Sequence, residues 1–278
     1  MLAGGLTNRN YKVTTEQACY VVRCSPVSTE LSIDRDHEHA NSQAAAAAGV
    51  GAEVVAYLAH EHVLVVACID GETLTDASFA RPGVIPRVAR ACRTLHDGPR
   101  FVNDFDMFDV QRRYFDVVQR RGFRLPERYL DFAPQVAVME HALAVRAEAT
   151  VPCNNDLLAG NFIDDGTRIW IIDYEYGGNN DACFELGNIW SECHLSLDQL
   201  GELIEAYYGR LTRAKLARAQ LLGLMSQYGW TLWASIQLAT STVDFDFWTW
   251  GMEKYDRAVA VFTGADFARL VDDVQRAD

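Results

Sequence analysis

The first seventy residues alternate short apolar segments with polar turns, a pattern that predicts small antiparallel strands around a single helix. Residues 19–24 (CYVVRC), 54–58 and 62–69 (HVLVVACI) have the length and the β-branched content of strands. Residues 34–48 differ, because acidic residues at the beginning of this segment and a run of alanines favour a helix. The turn at residues 70–72 (DGE) leaves the predicted sheet, and we place a domain boundary there.

The remainder of the chain is predicted to be mainly helical, with prolines in the connections between helices. The predicted helices are 84–96, 109–121, 135–149, 181–192, 197–208 and 214–224. Residues 228–250 are dense in aromatic side chains. Because an aromatic stripe on a helix is more often protein core than ligand cage, core packing is the default interpretation of Trp230 and Trp233.

Three polar residues surround a short apolar segment, 169–172 (IWII), that reads as a buried strand. Asp156 precedes Asn161 by five residues, and Asp173 follows the strand directly. In kinase catalytic loops, a carboxylate at the first position accepts the proton of the attacking hydroxyl, while the amide and the second carboxylate bind magnesium. The same spacing also arises by chance in loops, and Asp is common in turns at strand ends.

The beginning of the chain carries features that suit a nucleotide. Two glycines precede the segment that ends at residues 12–13, and glycine allows backbone N–H groups to approach phosphates. Arg23 could reach the phosphates from its strand, and Glu38 could pair with Arg23 if the helix packs on the sheet. The alternative is that both side chains are simply exposed. We expect the adenine base to pack against the backbone near residues 67–69.

Composition excludes several classes of partner. The 278 residues suffice for one large domain or for two lobes around a cleft. The net charge of −13 argues against nucleic acid, since phosphate binding requires clustered Lys and Arg. Seven cysteines without a CxxC pair, no secretory leader and no long apolar window predict reduced thiols in a cytoplasmic protein that does not enter a membrane. Nothing in the sequence indicates an oligomeric state.

In their order, these features resemble the choline/ethanolamine kinase family, a branch of the aminoglycoside phosphotransferase group. The segments that carry the resemblance are GGLTNRNYKV (4–13), NDLLAGNFI (155–163), IIDYEY (171–176) followed by FELGN (184–188), and WTLWASIQLATSTVDFDF (230–247). The resemblance implies an α+β fold similar to that of protein kinases. It would have two lobes, a small antiparallel-sheet N-lobe at 1–70 and a larger, mainly helical C-lobe at 71–278.

The resemblance also implies an ATP- and Mg²⁺-dependent kinase that phosphorylates the hydroxyl of a small amino alcohol, with choline as the first candidate. Asp156 would be the catalytic base, and Asn161 and Asp173 would bind the metal. The residues implied at the nucleotide are Gly5, Thr7, Asn8, Arg23, Glu38 and Ile69. The residues implied at the substrate are Tyr176, Glu192, Trp230, Trp233 and Trp250. Aromatic faces beside a carboxylate suit a quaternary ammonium, which has no hydrogen to donate.

Three departures from the family pattern leave other interpretations open. Asn154 stands where the family has His, Glu185 replaces the usual Asp, and Trp250 occupies a position where Tyr is commoner. One alternative is a kinase for ethanolamine, thiamine or an aminoglycoside. Another is a nucleotide-binding protein without catalytic activity, although Asp156, Asn161 and Asp173 together argue against it.

Overall fold

The computed structural model of the protein describes residues 2, 8–25 and 33–277. The chain divides into two compact units: unit 1 is Met1–Phe105 with Thr150–Asn180, and unit 2 is Asp106–Ala149 with Asp181–Asp278. Unit 1 contains small antiparallel sheets and unit 2 is helical, which confirms the predicted α+β class. The lobe boundary at residue 70 stays a prediction.

A four-stranded antiparallel sheet lies at the beginning of unit 1. Its strands are β1 (Arg9–Thr14), β2 (Cys19–Cys24), β3 (Val54–Leu58) and β4 (Val63–Ala67), in the order β1-β2-β4-β3. The strands predicted at 19–24 and 54–58 are confirmed. The strand predicted at 62–69 is shorter, because His62 has a left-handed backbone (φ 51°) that ends the preceding turn. Strand β2 lies inside the sheet and carries the buried Arg23.

Helix α1 (Arg35–Ala47) corresponds to the helix predicted at 34–48. Asp34 caps it, since its carboxylate accepts hydrogen bonds from two backbone N–H groups of the first turn. The buried residues of the helix include Arg35, Glu38 and Asn41. Helix α1 therefore contributes charged and amide groups to the interior of unit 1, where most helices would contribute an apolar stripe.

A disulfide joins Cys19 and Cys68. The prediction that all cysteines are reduced thiols is therefore wrong for this pair. The two residues are 49 positions apart in the sequence, with Cα atoms 5.3 Å apart, because antiparallel pairing places Tyr20 of β2 opposite Ala67 of β4. Neither residue belongs to a short-range motif, so the pairing becomes visible only with the strand register.

Two smaller sheets complete unit 1. Strands β5 (Glu72–Thr73), β7 (Phe162–Asp164) and β8 (Ile169–Ile171) form one, and β6 (Val151–Cys153) pairs with β9 (Gly178–Asn180) in the other. Helix α2 (Val84–His96) has the bounds predicted from the sequence and packs against β6 and β8. The pairing of β6 with β9 and of β7 with β8 brings the segments 154–161 and 172–177 together.

The described part of unit 2 is built from helices. They are α3 (Met107–Arg121), α4 (Ala133–Val145), α5 (Ala182–Glu192), α6 (Leu197–Tyr208), α7 (Arg213–Thr240), α8 (Phe247–Phe262) and α9 (Asp266–Val274). The helix predicted at 214–224 is longer than expected, since α7 continues to Thr240. The segment that follows the predicted end, 225–227 (MSQ), contains no helix breaker. Among the described residues, no helix has both the length and the apolarity to cross a membrane.

Two glycines allow α5 and α7 to cross at close range. A Cβ atom added to Gly187 would overlap the carbonyl oxygen of Ala219 and lie 2.8 Å from the backbone nitrogen of Gly223. A Cβ atom on Gly223 would lie 2.6 Å from the carbonyl oxygen of Gly187. These obstructing atoms are backbone atoms, which a rotamer change cannot move. Gly187 belongs to the FELGN segment, so packing explains why this position holds glycine.

We expect Gly187→Ala to lower the free energy of unfolding by roughly 1–3 kcal/mol or more, the usual cost of overpacking a core. Urea unfolding of the intact chain measures the change. Gly201→Ala in α6 is the matched control, because its new Cβ would meet only a side-chain atom of Leu211 at 3.3 Å. Alanine in a helix interior gains up to about 1 kcal/mol over glycine, so the control should be at least as stable as the wild type. Equal stability of the two variants would contradict the backbone crossing.

Candidate active site

The segments 154–161 and 172–177 of unit 1 lie side by side. The backbone N–H of Ile172 donates a hydrogen bond to the carbonyl oxygen of Asn161 at 3.0 Å. Asp156 and Asn161 lie on the first segment and Asp173 on the second. The three residues of the predicted D-x4-N and Asp pattern are thus carried by adjacent segments.

Asn154 links these two segments through its side chain. Its amide nitrogen donates hydrogen bonds to the carbonyl oxygens of Ile172 at 3.1 Å and Asp173 at 2.8 Å. Its amide oxygen accepts a hydrogen bond from the backbone N–H of Asp156 at 3.1 Å. Asn154 is completely buried, so these bonds are not exchanged for bonds to water. The residue that departs from the family pattern therefore positions both the base candidate and the metal-ligand candidate.

Asn161 is also oriented by the first segment, because its amide nitrogen donates a hydrogen bond to the carbonyl oxygen of Asp156 at 2.8 Å. This bond leaves the amide oxygen as the atom that would ligate a cation. Asn155 and Asp173 both have left-handed backbones, with φ of 68° and 67°. Non-glycine residues adopt this conformation at a cost, and such strain is concentrated at ligand-binding and catalytic sites.

Arg23 is the centre of a buried ion-pair network. Its Nη2 lies 2.6 Å from Asp173 Oδ1, 3.2 Å from Glu38 Oε1 and 3.6 Å from Glu175 Oε2. The pairing predicted between Arg23 and Glu38 is therefore confirmed. Burial, the largest influence, lowers the pKa of Arg23, but the three carboxylates raise it more, so the pKa lies above its ordinary value. The guanidinium stays charged and compensates part of the surrounding negative charge.

Glu175 is a member of this network that the sequence analysis missed. Its Oε2 accepts hydrogen bonds from Asn8 Nδ2 at 2.6 Å and from Arg35 Nη1 at 3.2 Å. Burial and the neighbouring Asp173 carboxylate raise the pKa of Glu175 to about 7. The signal was present in the sequence, since Glu175 is the second acidic residue of the IIDYEY segment that carries the family resemblance.

The donor atoms around Asp173 fit a magnesium ion in their chemistry. Glu38, Asp173 and Glu175 each offer one carboxylate oxygen, and these three atoms lie within 4.8 Å of one another. Mg²⁺ prefers oxygen ligands and is usually bound through one or two carboxylates together with substrate phosphates. The Asp173 side chain is 26% exposed, whereas those of Glu38 and Glu175 are 4% exposed. Asp173 is therefore the carboxylate that a metal could reach, and its role as a ligand stays a prediction.

The remaining nucleotide candidates have different surroundings. Gly5 and Thr7 lie outside the described residues. Asn8 is buried, donates to Glu175, and accepts a hydrogen bond from Ser25 Oγ at 2.8 Å. Ile69 is half-buried and follows the disulfide residue at the end of β4. Nucleotide binding by these residues stays a prediction.

Four of the five substrate candidates form one cluster in unit 2. The ring centroids of Trp230 and Trp233 lie 6.4 Å apart, and those of Trp233 and Trp250 lie 5.4 Å apart. Trp230 and Trp233 are 3% and 5% exposed, so both also contribute to the core of unit 2. The fifth candidate, Tyr176, is buried in unit 1, where its carbonyl oxygen accepts a hydrogen bond from Asn155 Nδ2 at 3.0 Å.

The carboxylate of this cluster, Glu192, is paired with a lysine that the sequence analysis did not select. Lys254 Nζ lies 2.6 Å from both oxygens of Glu192. The same nitrogen lies 4.2 Å from the centroid of the Trp250 ring. No motif pointed to Lys254, because its partner comes from α5, 62 residues earlier. We call Glu192, Trp250 and Lys254 the ammonium cluster.

Comparison with known proteins gives related sequences and structures. The sequence profile of the phosphotransferase enzyme family matches residues 2–222. The structure of a choline/ethanolamine kinase family protein from Mesorhizobium loti is similar, with 31% identity and a TM-score of 0.87, and the match covers 98% of this chain and 90% of that chain. The similarity agrees with the kinase-like fold expected from the sequence.

Two curated relatives match nearly the whole chain. Protein LicA of Haemophilus influenzae is 27% identical over 246 residues, covering 84% of this chain and 72% of LicA. Ethanolamine kinase 1 of Homo sapiens is 24% identical over 299 residues, covering 92% of this chain and 66% of the human protein. This chain therefore spans slightly less than two thirds of the human relative.

The raised pKa of Glu175 predicts a pH dependence of stability. A carboxyl group whose pKa rises from 4.5 to about 7 on folding binds its proton more tightly in the folded state, so stability falls as the pH rises from about 4.5 through about 7. Glu175→Gln cannot ionise and should escape this loss. Relative to the wild type, we expect its free energy of unfolding to increase by about 1–3 kcal/mol between pH 5 and pH 7.5.

Urea unfolding at a series of pH values, with EDTA present, measures this difference. Glu53→Gln changes an exposed carboxylate of unit 1 and is the matched control. A constant difference between Glu175→Gln and the wild type across this range would show that Glu175 does not retain its proton in the folded state.

Proposed function

The chain belongs to the phosphotransferase enzyme family and is a small-molecule kinase, and from this premise we propose that it transfers the γ-phosphoryl group of ATP to the hydroxyl of a small amino alcohol, with choline as the preferred substrate. The same proposal includes magnesium dependence and a cytoplasmic location. It also includes action on a small molecule, with neither nucleic acid nor membrane as partner.

The observation that carries the proposal is the side-chain link made by Asn154. One buried amide holds the backbone of Asp156 and the backbone of Asp173 at the same time. Phosphoryl transfer requires little covalent chemistry from the protein and depends mainly on positioning and charge stabilisation. A fixed relation between the base and the metal-ligand candidate is what such a reaction needs.

In this mechanism the substrate hydroxyl oxygen attacks the γ-phosphorus and ADP leaves. Asp156 accepts the hydroxyl proton as the new P–O bond forms. Mg²⁺ held by Asp173 and the amide oxygen of Asn161 would neutralise phosphate charge. Arg23 keeps the carboxylates around Asp173 from repelling the nucleotide, since its guanidinium already compensates part of their charge.

The Trp230, Trp233 and Trp250 rings with Glu192 support a cationic alcohol as the acceptor. Each contact of an ammonium with an aromatic face contributes roughly 0.5–2 kcal/mol, depending on desolvation. Ethanolamine is the second candidate, because relatives of this chain include ethanolamine kinases. A primary ammonium could also donate hydrogen bonds to Glu192, which choline cannot do.

A substrate panel tests the proposal. We expect Mg²⁺-dependent ADP release with choline, measured by a coupled assay, to exceed release with ethanolamine, thiamine or an aminoglycoside.

Asp156→Asn should reduce turnover by roughly 10²–10⁴-fold, since it removes the proton acceptor, and should leave ATP affinity nearly unchanged. Asp198→Asn on the exposed side of α6 is the control. Full turnover by Asp156→Asn would remove Asp156 from the mechanism. If none of the four acceptors supports ADP release, the proposed function is refuted.

Asn154 variants test the positioning argument. Asn154→Ala removes the link between Asp156 and Asp173, and we expect kcat to fall by roughly 10–100-fold, equivalent to about 1–3 kcal/mol. The KM for ATP should change less. Asn154→His can still donate and accept a hydrogen bond and should retain more activity than Asn154→Ala.

Asn154→Asp separates the two sides of the link, because a carboxylate can accept from the Asp156 N–H but cannot donate to the Asp173 carbonyl. Urea unfolding of each variant shows how much of the effect comes from lost stability. If Asn154→Ala is folded and keeps the wild-type kcat, the link has no catalytic role.

A further inference from the structure

The ammonium cluster already contains a cation that belongs to the chain. Lys254 Nζ donates to both carboxylate oxygens of Glu192 at 2.6 Å. It also lies over the face of Trp250, 4.2 Å from the ring centroid. The side chains of Lys254 and Glu192 are each only 8% exposed. A desolvated ammonium between a carboxylate and a tryptophan face is the arrangement expected for a bound cationic ligand.

This arrangement affects how the cluster can bind a second cation. The carboxylate charge of Glu192 is balanced by Lys254, so an external ammonium that entered beside Lys254 would meet a like charge in a poorly hydrated environment. An ammonium can use Glu192 and the Trp250 face only after Lys254 leaves them. Lys254 has a flexible four-carbon stem and can move without a change in the backbone.

We propose that Lys254 is an internal competitor that occupies the head-group subsite of Glu192 and Trp250 and must be displaced by the ammonium group of the substrate. The inference rests on the proposed function for the identity of the substrate, whereas the competition itself concerns only cation binding. Lys254 is thereby a specificity-determining residue, since it sets how tightly any cationic head group is held. An uncharged ligand gains nothing from displacing it.

The magnitude of the competition follows from population arithmetic. The apparent dissociation constant equals the intrinsic value divided by the fraction of molecules in which Lys254 has left the subsite. Two charge-assisted hydrogen bonds and one cation–π contact hold Lys254 in place, so this fraction should be on the order of one tenth or less. Removing the lysine ammonium should tighten cation binding by roughly tenfold or more.

Titration calorimetry with tetramethylammonium chloride tests the proposal on the intact chain. Lys254→Met replaces the ammonium with an uncharged side chain of similar length, and we expect it to bind tetramethylammonium at least about tenfold more tightly than the wild type. Lys254→Arg keeps the charge and is the matched control, with an affinity near that of the wild type. Sodium chloride titrations correct for ionic strength. Unchanged or weaker binding by folded Lys254→Met would overturn the proposal.

A second pair of variants serves if Lys254→Met fails to fold because Glu192 is left unpaired. Glu192→Gln and the double variant Glu192→Gln/Lys254→Met contain no buried lone carboxylate at this site. Tighter tetramethylammonium binding by the double variant than by Glu192→Gln supports the competition for the aromatic face. Equal binding by the two would overturn it.

The proposal and the proposed function fail separately in these experiments. Tetramethylammonium has no hydroxyl group, so its binding does not depend on phosphoryl transfer. If Lys254→Met tightens tetramethylammonium binding while no amino alcohol is phosphorylated, the competition stands and the substrate assignment is wrong. If choline is phosphorylated while Lys254→Met binds tetramethylammonium no more tightly than the wild type, the kinase assignment stands and the competition is wrong.

Discussion

The buried guanidinium of Arg23 is the interaction on which the site of unit 1 depends. Carboxylates from helix α1 and from the segment 172–177 converge on it, so that one charge connects the sheet, the helix and this segment. Arg35 adds a second cation, through Glu38 and Glu175. Buried charges are tolerated only when they are paired and hydrogen-bonded. The polar buried face of α1 therefore follows from the chemistry of the site.

The backbone around Asn154 shows how the fold maintains unusual conformations. Asn155 and Asp173 have positive φ values, which would be costly in an isolated peptide. Hydrogen bonds hold both residues in this conformation. Asn155 Nδ2 donates to the carbonyl oxygens of Tyr176 and Gly178, and Asn154 binds the carbonyl of Asp173. The pairing of β6 with β9 supplies the scaffold, so local strain is offset by the tertiary structure.

Local patterns in the sequence were sufficient to predict helices α1 to α6, the first part of α7, strands β2, β3, β4 and β8, and the Arg23–Glu38 pair. These features depend on periodicity, capping and the order of elements along the chain. The Cys19–Cys68 disulfide and the Lys254–Glu192 pair could not be predicted. Their residues are 49 and 62 positions apart, respectively, and are joined through packing that no motif encodes. Glu175 differs from both, since it belongs to the IIDYEY segment that carries the family resemblance, and only its buried partners reveal its importance. The interactions that could not be predicted from the sequence thus join elements that lie far apart along the chain.

Both units place acidic residues with potential ligand-binding roles next to cations of the same chain, although the protein carries a net charge of −13. In unit 1 the cations are Arg23 and Arg35, which cannot be deprotonated and are each bound to more than one carboxylate at once. In unit 2 the cation is a lysine, a compact charge on a flexible stem that makes one ion pair with Glu192. Arginine suits a permanent framework that keeps Asp173 in position. Lysine suits an occupant that leaves when a ligand of the same charge arrives. The difference between the two side chains therefore separates a structural ion pair from an exchangeable one.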